Sequence, residues 1–328
     1  MKTILITGGL GYIGSAFCEL FSDKYKIHIL DTGFFGNLTS QGIKVVNKDI
    51  RNIDKNDLKD IEIVIHMSEL SNDPLGEFNP SITNSINHEG TKNLLNLCNS
   101  SQVKKFIYMS SASVYGFNEE VVTENSKTNP LTEYAKAKIN NENYIINNHF
   151  NFESIIFRNS TVFGFSKNLR LDLVVNDLTF GALQTGKISL ISDGSPKRPF
   201  IHVKDLSNLL DIVINDERVF DKEIFNTGSN SLNFSIREIA MLVSKLTNIN
   251  KIDFGKKDSD QRSYYLNFDK LSETFPQFKV QYEMIDGVED LIHQLWEYNV
   301  NGNEKRLKKL RYLIDGDKLN KDLYWYQE

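Results

Sequence analysis

The chain is poor in cysteine. Only Cys18 and Cys98 occur in 328 residues, and one pair makes no disulfide framework. Each lies in an apolar, helix-like pattern, so both read as buried thiols of a reducing cytoplasm. Long apolar runs are also missing. None approaches the roughly 20 residues of a membrane span. Lys2 runs at once into the strand-like Thr3-Ile4-Leu5-Ile6-Thr7, which is too short for a signal-peptide core and carries no cleavage site. A soluble, cytoplasmic protein is expected. Positive charge is not in excess. With 38 Lys and Arg against 43 Asp and Glu, the net charge of −5 lacks the basic footprint of a nucleic-acid binder. The six histidines show no metal-ligand spacing, so no metal site is expected. No repeat of fixed period is present, and the abundant Asn is scattered rather than gathered in a low-complexity tract.

What is present is an alternation of short β-branched runs with longer amphipathic segments. Strands are predicted at 4–7, 26–30, 44–47, 62–66, 106–109 and 154–157. Helices are predicted at 12–21, from Pro80-Ser81 through Cys98, and at 131–147. This rhythm implies a parallel sheet with helices on both faces. After about Gly164 the pattern changes. A helix is predicted over 169–183, a short strand over 188–191 and a turn at Asp193-Gly194-Ser195-Pro196. Phe200-Ile201-His202-Val203 and 223–226 read as strands returning to the first domain. The predicted fold is therefore α/β: a Rossmann-type, doubly wound parallel sheet with a smaller, discontinuous C-terminal α/β lobe. The first domain would span 1–164 plus about 200–227, and the lobe about 165–199 and 228–328. The segment 304–312 is rich in Lys and Arg, with Leu307 and Leu310 three apart, and reads as an amphipathic helix packed on the lobe.

Gly8, Gly11 and Gly14 follow the first strand and open the first helix. Glycine permits the tight turn, the approach of backbone to a pyrophosphate, and close packing of helix on strand. The helix start then offers free N–H groups to phosphate. Asp31 ends the second strand, 17 residues after Gly14. A carboxylate there can accept both ribose hydroxyls of an adenosine and repels a 2′-phosphate, which favours NAD over NADP. Asp49-Ile50 follows the third strand, where an adenine edge would lie.

The run 106–109 leads into Ser110-Ser111, at the strand end where open α/β sheets bind ligands. Tyr134 and Lys138 are four apart in a predicted helix and share a face. An ammonium beside a phenol stabilises the phenolate and lowers a tyrosine pKa from about 10 toward neutrality, which makes an effective base. Such a base can take the proton of a carbinol while its carbon gives up hydride to nicotinamide. Order and spacing give these residues their meaning: Tyr134 follows Ser111 by 23 residues and the glycine turn by about 120.

Together these motifs resemble the extended short-chain dehydrogenase/reductases, in particular the NAD-dependent epimerase/dehydratase family that acts on nucleotide sugars. The glycine spacing is that group's variant of the dinucleotide fingerprint. Further segments match in order: His66, Asn87-His88-Glu89-Gly90-Thr91, Arg158 through Gly164, and Arg198-Pro199-Phe200-Ile201-His202-Val203. The resemblance covers nearly the whole chain. It implies Ser111, Tyr134 and Lys138 as the catalytic trio. It implies NAD held by Gly8, Gly11, Tyr12, Ile13, Gly14, Asp31, Asp49, Ile50, Met67, Tyr134 and Lys138. His66 and His202, without metal spacing, read as structural or as supports one step removed from the site.

The resemblance also implies a nucleotide-diphosphate sugar as substrate, contacted by Ser71, Ser111, Thr161, Arg198 and Arg262, with the two arginines on the diphosphate. The family's 4,6-dehydratases carry an Asp-Glu pair just after the catalytic hydroxyl; this chain has Ala112 and Ser113 there, which removes the acids that eliminate water. The expected activity is a 4-epimerase working through a 4-keto sugar. The segment 170–177 is similar to one in a subgroup that includes GDP-heptose 4-dehydrogenases, so a 4-dehydrogenase or 4-keto-reductase is the alternative. A non-enzymatic dinucleotide sensor is disfavoured by the intact Tyr134 and Lys138. A homodimer through the two long helices is implied by family analogy.

Overall fold

The structure is a computed structural model, and it describes residues 1–36, 42–257, 263–298 and 305–326. Its strands run β1 (Thr3–Thr7), β2 (Lys26–Asp31), β3 (Lys44–Asn47), β4 (Ile63–His66), β5 (Lys105–Ser111), β6 (Phe117–Val122), β7 (Glu153–Asn159), β8 (Thr161–Phe163), β9 (Ile188–Ser189), β10 (Lys197–His202), β11 (Asp221–Thr227), β12 (Asn233–Ser235), β13 (Ile252–Asp253) and β14 (Ser263–Leu266). The helices are α1 (Tyr12–Phe21), α2 (Asp73–Gly76), α3 (Pro80–Thr83), α4 (Gly90–Asn99), α5 (Glu133–Asn147), α6 (Val174–Thr185), α7 (Val203–Asn215), α8 (Ile236–Thr247), α9 (Asp269–Thr274), α10 (Met284–Glu297) and α11 (Arg306–Asp315).

Seven strands form one sheet in the order β11-β7-β5-β4-β1-β2-β3, and every pairing is parallel. Alternate residues of each strand point to opposite faces. Ile4 and Ile6 join one core with α1 and α7, whereas Leu5, Val64 and Phe106 join a second core with α4. Both faces are therefore covered, which is why these strands read as continuous apolar runs. The order reverses between β1 and β4, and the crevice beyond their carboxyl ends is where such sheets bind ligands.

The smaller lobe has its own core of α6, α8 and α10 around Phe163, Phe200 and Val243. The predicted strand at 223–226 does join the large sheet, as β11. The one at 200–203 does not. It lies in β10, which pairs with β8 and β12 in a separate three-stranded sheet. Apolar patterning cannot choose between two sheets of similar burial. The helix α7 that follows β10 is what returns to the large domain, packing on α1.

Three further differences have physical causes. The helix predicted from 169 begins only at Val174. Asn176 binds both Gly164 N–H and the Arg170 carbonyl and holds 169–173 as irregular chain. The long helix from Pro80 is interrupted by a widened π turn over Asn84–Glu89. Finally, the basic helix α11 turns its apolar side to the large domain, while Lys305 and Arg306 at its start reach Asp177 and Asn168 of the lobe. Leu310 and Leu313 are buried with Leu5, Leu30 and Phe34 against the large sheet. Among the described residues no helix is long and apolar enough to cross a membrane. Cys18 and Cys98 are buried free thiols, as expected.

Candidate active site

A cleft opens at the strand-order reversal. Its walls include Gly8, Gly11, Tyr12, Ile13, Asp31, Asp49, Ile50, Met67 and Ser71, so nine residues singled out from sequence are brought together. The glycine turn is forced by space. Gly8 has φ +72°, and a Cβ there would lie 2.7 Å from the Met67 carbonyl oxygen. Gly14 lies outside the cleft wall. A Cβ on it would sit 2.5 Å from the Gly9 carbonyl, so its role is to let α1 close onto the strand. No side chain caps the start of α1 at Gly11. Its first N–H groups remain available to a phosphate, and the helix dipole favours that charge.

Asp31 has a structural duty as well as the expected one. The N–H of Leu10 donates to its Oδ2 at 3.1 Å and that of Gly33 to its Oδ1 at 2.8 Å. Each carboxylate oxygen keeps a second lone pair for a ribose hydroxyl. Burial raises the Asp31 pKa, and those backbone N–H groups pull against the rise. Asp49 is held by Arg51, with contacts of 2.9 and 2.7 Å, and caps the short turn bearing buried Ile50.

The C-terminal segment closes this end of the cleft, which sequence reasoning missed. Arg306 lines the cleft and donates to the Phe35 and Asn168 carbonyls at 3.0 and 3.2 Å. Trp325 Nε1 donates to the Thr32 carbonyl at 2.7 Å, and its ring lies 5.5 Å from that of Phe34. Arg51 stacks 3.7 Å from the ring centre of Tyr324. No local motif marks these residues, because each contact joins segments more than 130 positions apart.

At the other end, Lys138 is almost fully buried, and its Nζ donates to the Met109 carbonyl at 2.5 Å. It lies 5.5 Å from the centre of the Tyr134 ring. Helix α5, which Thr132 caps through its side chain, thus presents both residues at the end of β5. Ser111 is the last residue of that strand, and its Oγ accepts from Ser113 N–H at 3.2 Å. Lys138 thus meets β5 at Met109, two residues before Ser111; Ser111, Tyr134 and Lys138 themselves are not among the lining residues of the cleft.

A carboxylate absent from the sequence reading completes this corner. Glu69, in the loop after β4, has a side chain only 1% exposed, and its Oε2 lies 2.8 Å from Lys138 Nζ. Tyr108 donates to Oε1 at 2.8 Å. Asn87 in the widened turn holds this loop, accepting from Leu70 N–H at 2.8 Å and donating to the Leu70 carbonyl at 3.2 Å. His66 bridges Thr7 and Thr91 at 2.6 and 2.7 Å, and burial depresses its pKa to about 3. His202 is buried, stacked on Tyr282 at 4.0 Å, and likewise depressed to about 3. Both are structural neutral imidazoles, and among the described residues no acidic, His or Cys cluster could hold a metal.

The expected sugar contacts are scattered. Ser71 lines the cleft and accepts from Arg170 at 3.2 Å. Arg170 itself is a cleft residue paired with Asp172 at 2.9 Å, and Asp172 also accepts from Asn72 at 2.6 Å. Thr161 and Arg198 lie on neighbouring strands β8 and β10 of the second sheet. Arg198 is mostly buried, over the Tyr264 ring at 5.3 Å. Arg262 lies outside the described residues.

Comparison with known proteins agrees with this geometry. Residues 4–228 match the sequence model of the "NAD dependent epimerase/dehydratase family". A Methanocaldococcus jannaschii protein, provisionally named a UDP-glucose 4-epimerase, is 32% identical over 69% of this chain and 76% of its own length. A Mycoplasma genitalium UDP-glucose 4-epimerase is 29% identical over 88% of this chain and 94% of its own. The structure of a Bacillus cereus UDP-glucuronic acid 4-epimerase, solved with UDP-glucuronic acid and NAD, superposes with a TM-score of 0.81 at 24% identity. That match covers 90% of this chain and 99% of the other.

Proposed function

The chain belongs to the NAD-dependent epimerase/dehydratase family, and from that premise we propose that it is a nucleotide-sugar 4-epimerase. The observation that carries the reading is the placement of Tyr134 beside a buried Lys138, at the end of β5 and next to the cleft. NAD fits the cleft: the uncapped start of α1, the crowded Gly8 turn and the Asp31 carboxylate suit pyrophosphate and ribose. When bound, it supplies a reversible hydride acceptor beside the sugar.

The chain's own residues do the rest. Tyr134 takes the proton of the sugar 4-hydroxyl and returns it, and Lys138 keeps a positive charge beside that phenol. Ser111 orients the sugar oxygen by hydrogen bonding. The 4-keto sugar formed on oxidation turns about its diphosphate link, so that re-reduction gives the 4-epimer. Arg198 is the diphosphate contact proposed within the described residues, and Thr161 faces the sugar. Ala112 and Ser113 in place of an acid pair leave nothing to drive water elimination.

The relatives named UDP-glucose 4-epimerases make UDP-glucose and UDP-galactose the first substrates to try. The test is a panel of nucleotide sugars incubated with NAD and protein, with products resolved by NMR. A 4-epimer supports the reading. Accumulation of NADH without a stereoisomer replaces it with the 4-dehydrogenase. A homodimer and a cytoplasmic location form part of the proposal; the two buried free thiols fit a reducing compartment.

A further inference from the structure

A carboxylate with a side chain 1% exposed is costly to bury, and folding places Glu69 there only with compensation. The compensation is specific. Oε1 accepts from Tyr108, and Tyr108 in turn accepts from Asn141 at 2.8 Å. Asn141 is fixed by His88, 2.7 Å away, and by the Asn87 carbonyl. Oε2 is different. Its partner is a charge: the Lys138 ammonium lies 2.8 Å away, and Glu69 lines the cofactor cleft. The ammonium has three N–H donors. One is spent on Met109, and a second is drawn toward Glu69.

We propose that Glu69 is a positioning residue for the reaction, a buried counter-charge that fixes the Lys138 ammonium and offsets the charge it presents to Tyr134. The proposal rests on the role given above to Tyr134 and Lys138. Other charged and titratable groups face the pair from each element packed on it. His66 comes from β4, Tyr108 from β5, Tyr134 and Glu142 from α5, and His88 through Asn141; Arg170 stands on the cleft wall, paired with Asp172. Burial works against the charge on Lys138, but the Glu69 carboxylate and the Tyr134 phenol outweigh it and keep the ammonium. Burial pushes the Glu69 carboxyl up, and Lys138 pulls it back. Glu69 therefore governs how much of the ammonium's field reaches the phenol.

The experiment follows nicotinamide reduction after mixing the NAD-loaded enzyme with a nucleotide sugar across a range of pH. It compares wild type, Glu69→Gln, Glu69→Asp and Tyr134→Phe. In Glu69→Gln the shape stays and the charge goes, so the acid limb of the rate profile moves to lower pH by on the order of one unit. Glu69→Asp keeps the charge and leaves that limb in place at a reduced rate. A role confined to supporting the fold lowers rate and melting temperature in both variants with no movement of the limb. That result overturns the proposal. Should Glu69→Gln fail to fold, Tyr108→Phe takes its place. It removes the hydroxyl dipole that partly cancels the carboxylate charge, so the limb moves the opposite way, to higher pH, by less; an unmoved limb there refutes the proposal too. Tyr134→Phe separates the two readings. Undiminished reduction in that variant removes the catalytic role of Tyr134 itself, whereas its loss together with an unmoved limb in Glu69→Gln removes only the role of Glu69.

Discussion

Asn87→Ala is the sharpest test of how the cleft is built. The side chain is fully buried in the widened turn before α4, and its two hydrogen bonds clamp both polar groups of Leu70. Alanine leaves a buried N–H and a buried carbonyl without partners, at about 1–3 kcal/mol each. Alanine's better helix propensity returns a few tenths of a kcal/mol, and water entering the vacated space recovers part of the rest. A net loss of about 2–4 kcal/mol is expected. A 328-residue chain unfolds with roughly 0.7 kcal/mol per kelvin of entropy, so the melting temperature should fall by about 3–6 °C. The clamped loop carries Met67, Ser68 and Glu69 in the cleft wall, so the stabilisation given by saturating NAD should shrink as well. Scanning calorimetry with and without NAD measures both. A variant that melts within about 1 °C of wild type and gains as much from NAD would refute the clamp.

Tyr134→Phe should retain NAD binding by calorimetry and lose about 10²–10⁴ in turnover; unaltered turnover would remove the phenol from the chemistry. Gly14→Ala places a methyl 2.5 Å from the Gly9 carbonyl, so α1 must shift off the strand, and NAD affinity should drop by tenfold or more in a direct titration. Trp325→Ala removes a hydrogen bond to Thr32 and a ring contact with Phe34, together about 1–2 kcal/mol of tail docking. Its expected signature is faster proteolysis after residue 305 that NAD suppresses. The folded-state pKa of His66 and of His202 lies near 3, below the unfolded value of about 6.5. Between those values the unfolded chain binds the extra protons. The stability they contribute is complete above about pH 6.5 and is lost as pH falls toward 3, by up to about 1.4 kcal/mol per pH unit for each ring. His202→Gln should flatten the decline in melting temperature between pH 7 and 5, and an unchanged slope would contradict it.

The parallel sheet and the glycine turn were legible in the chain, as were Asp31 and the proposed set of Ser111, Tyr134 and Lys138. Each is encoded locally: strand period, helix spacing and the space a glycine leaves are properties of neighbours in the chain. The sequence marked 200–203 as a strand but could not say which sheet it joins, because apolar alternation states that a face is buried but not against what. The partner of Lys138 was invisible for a related reason. Glu69 sits in a loop with no periodicity, and only the convergence of that loop with β5 and α5 brings carboxylate and ammonium within 2.8 Å. The tail is the plainest case. Leu307 and Leu310 mark an amphipathic segment, and the chain's path alone decided that Leu310 and Leu313 are buried against the large sheet and that Trp325 docks on Thr32 beside Asp31. Burial of apolar area has no direction of its own, so its destination is set by which complementary surface the rest of the fold leaves open.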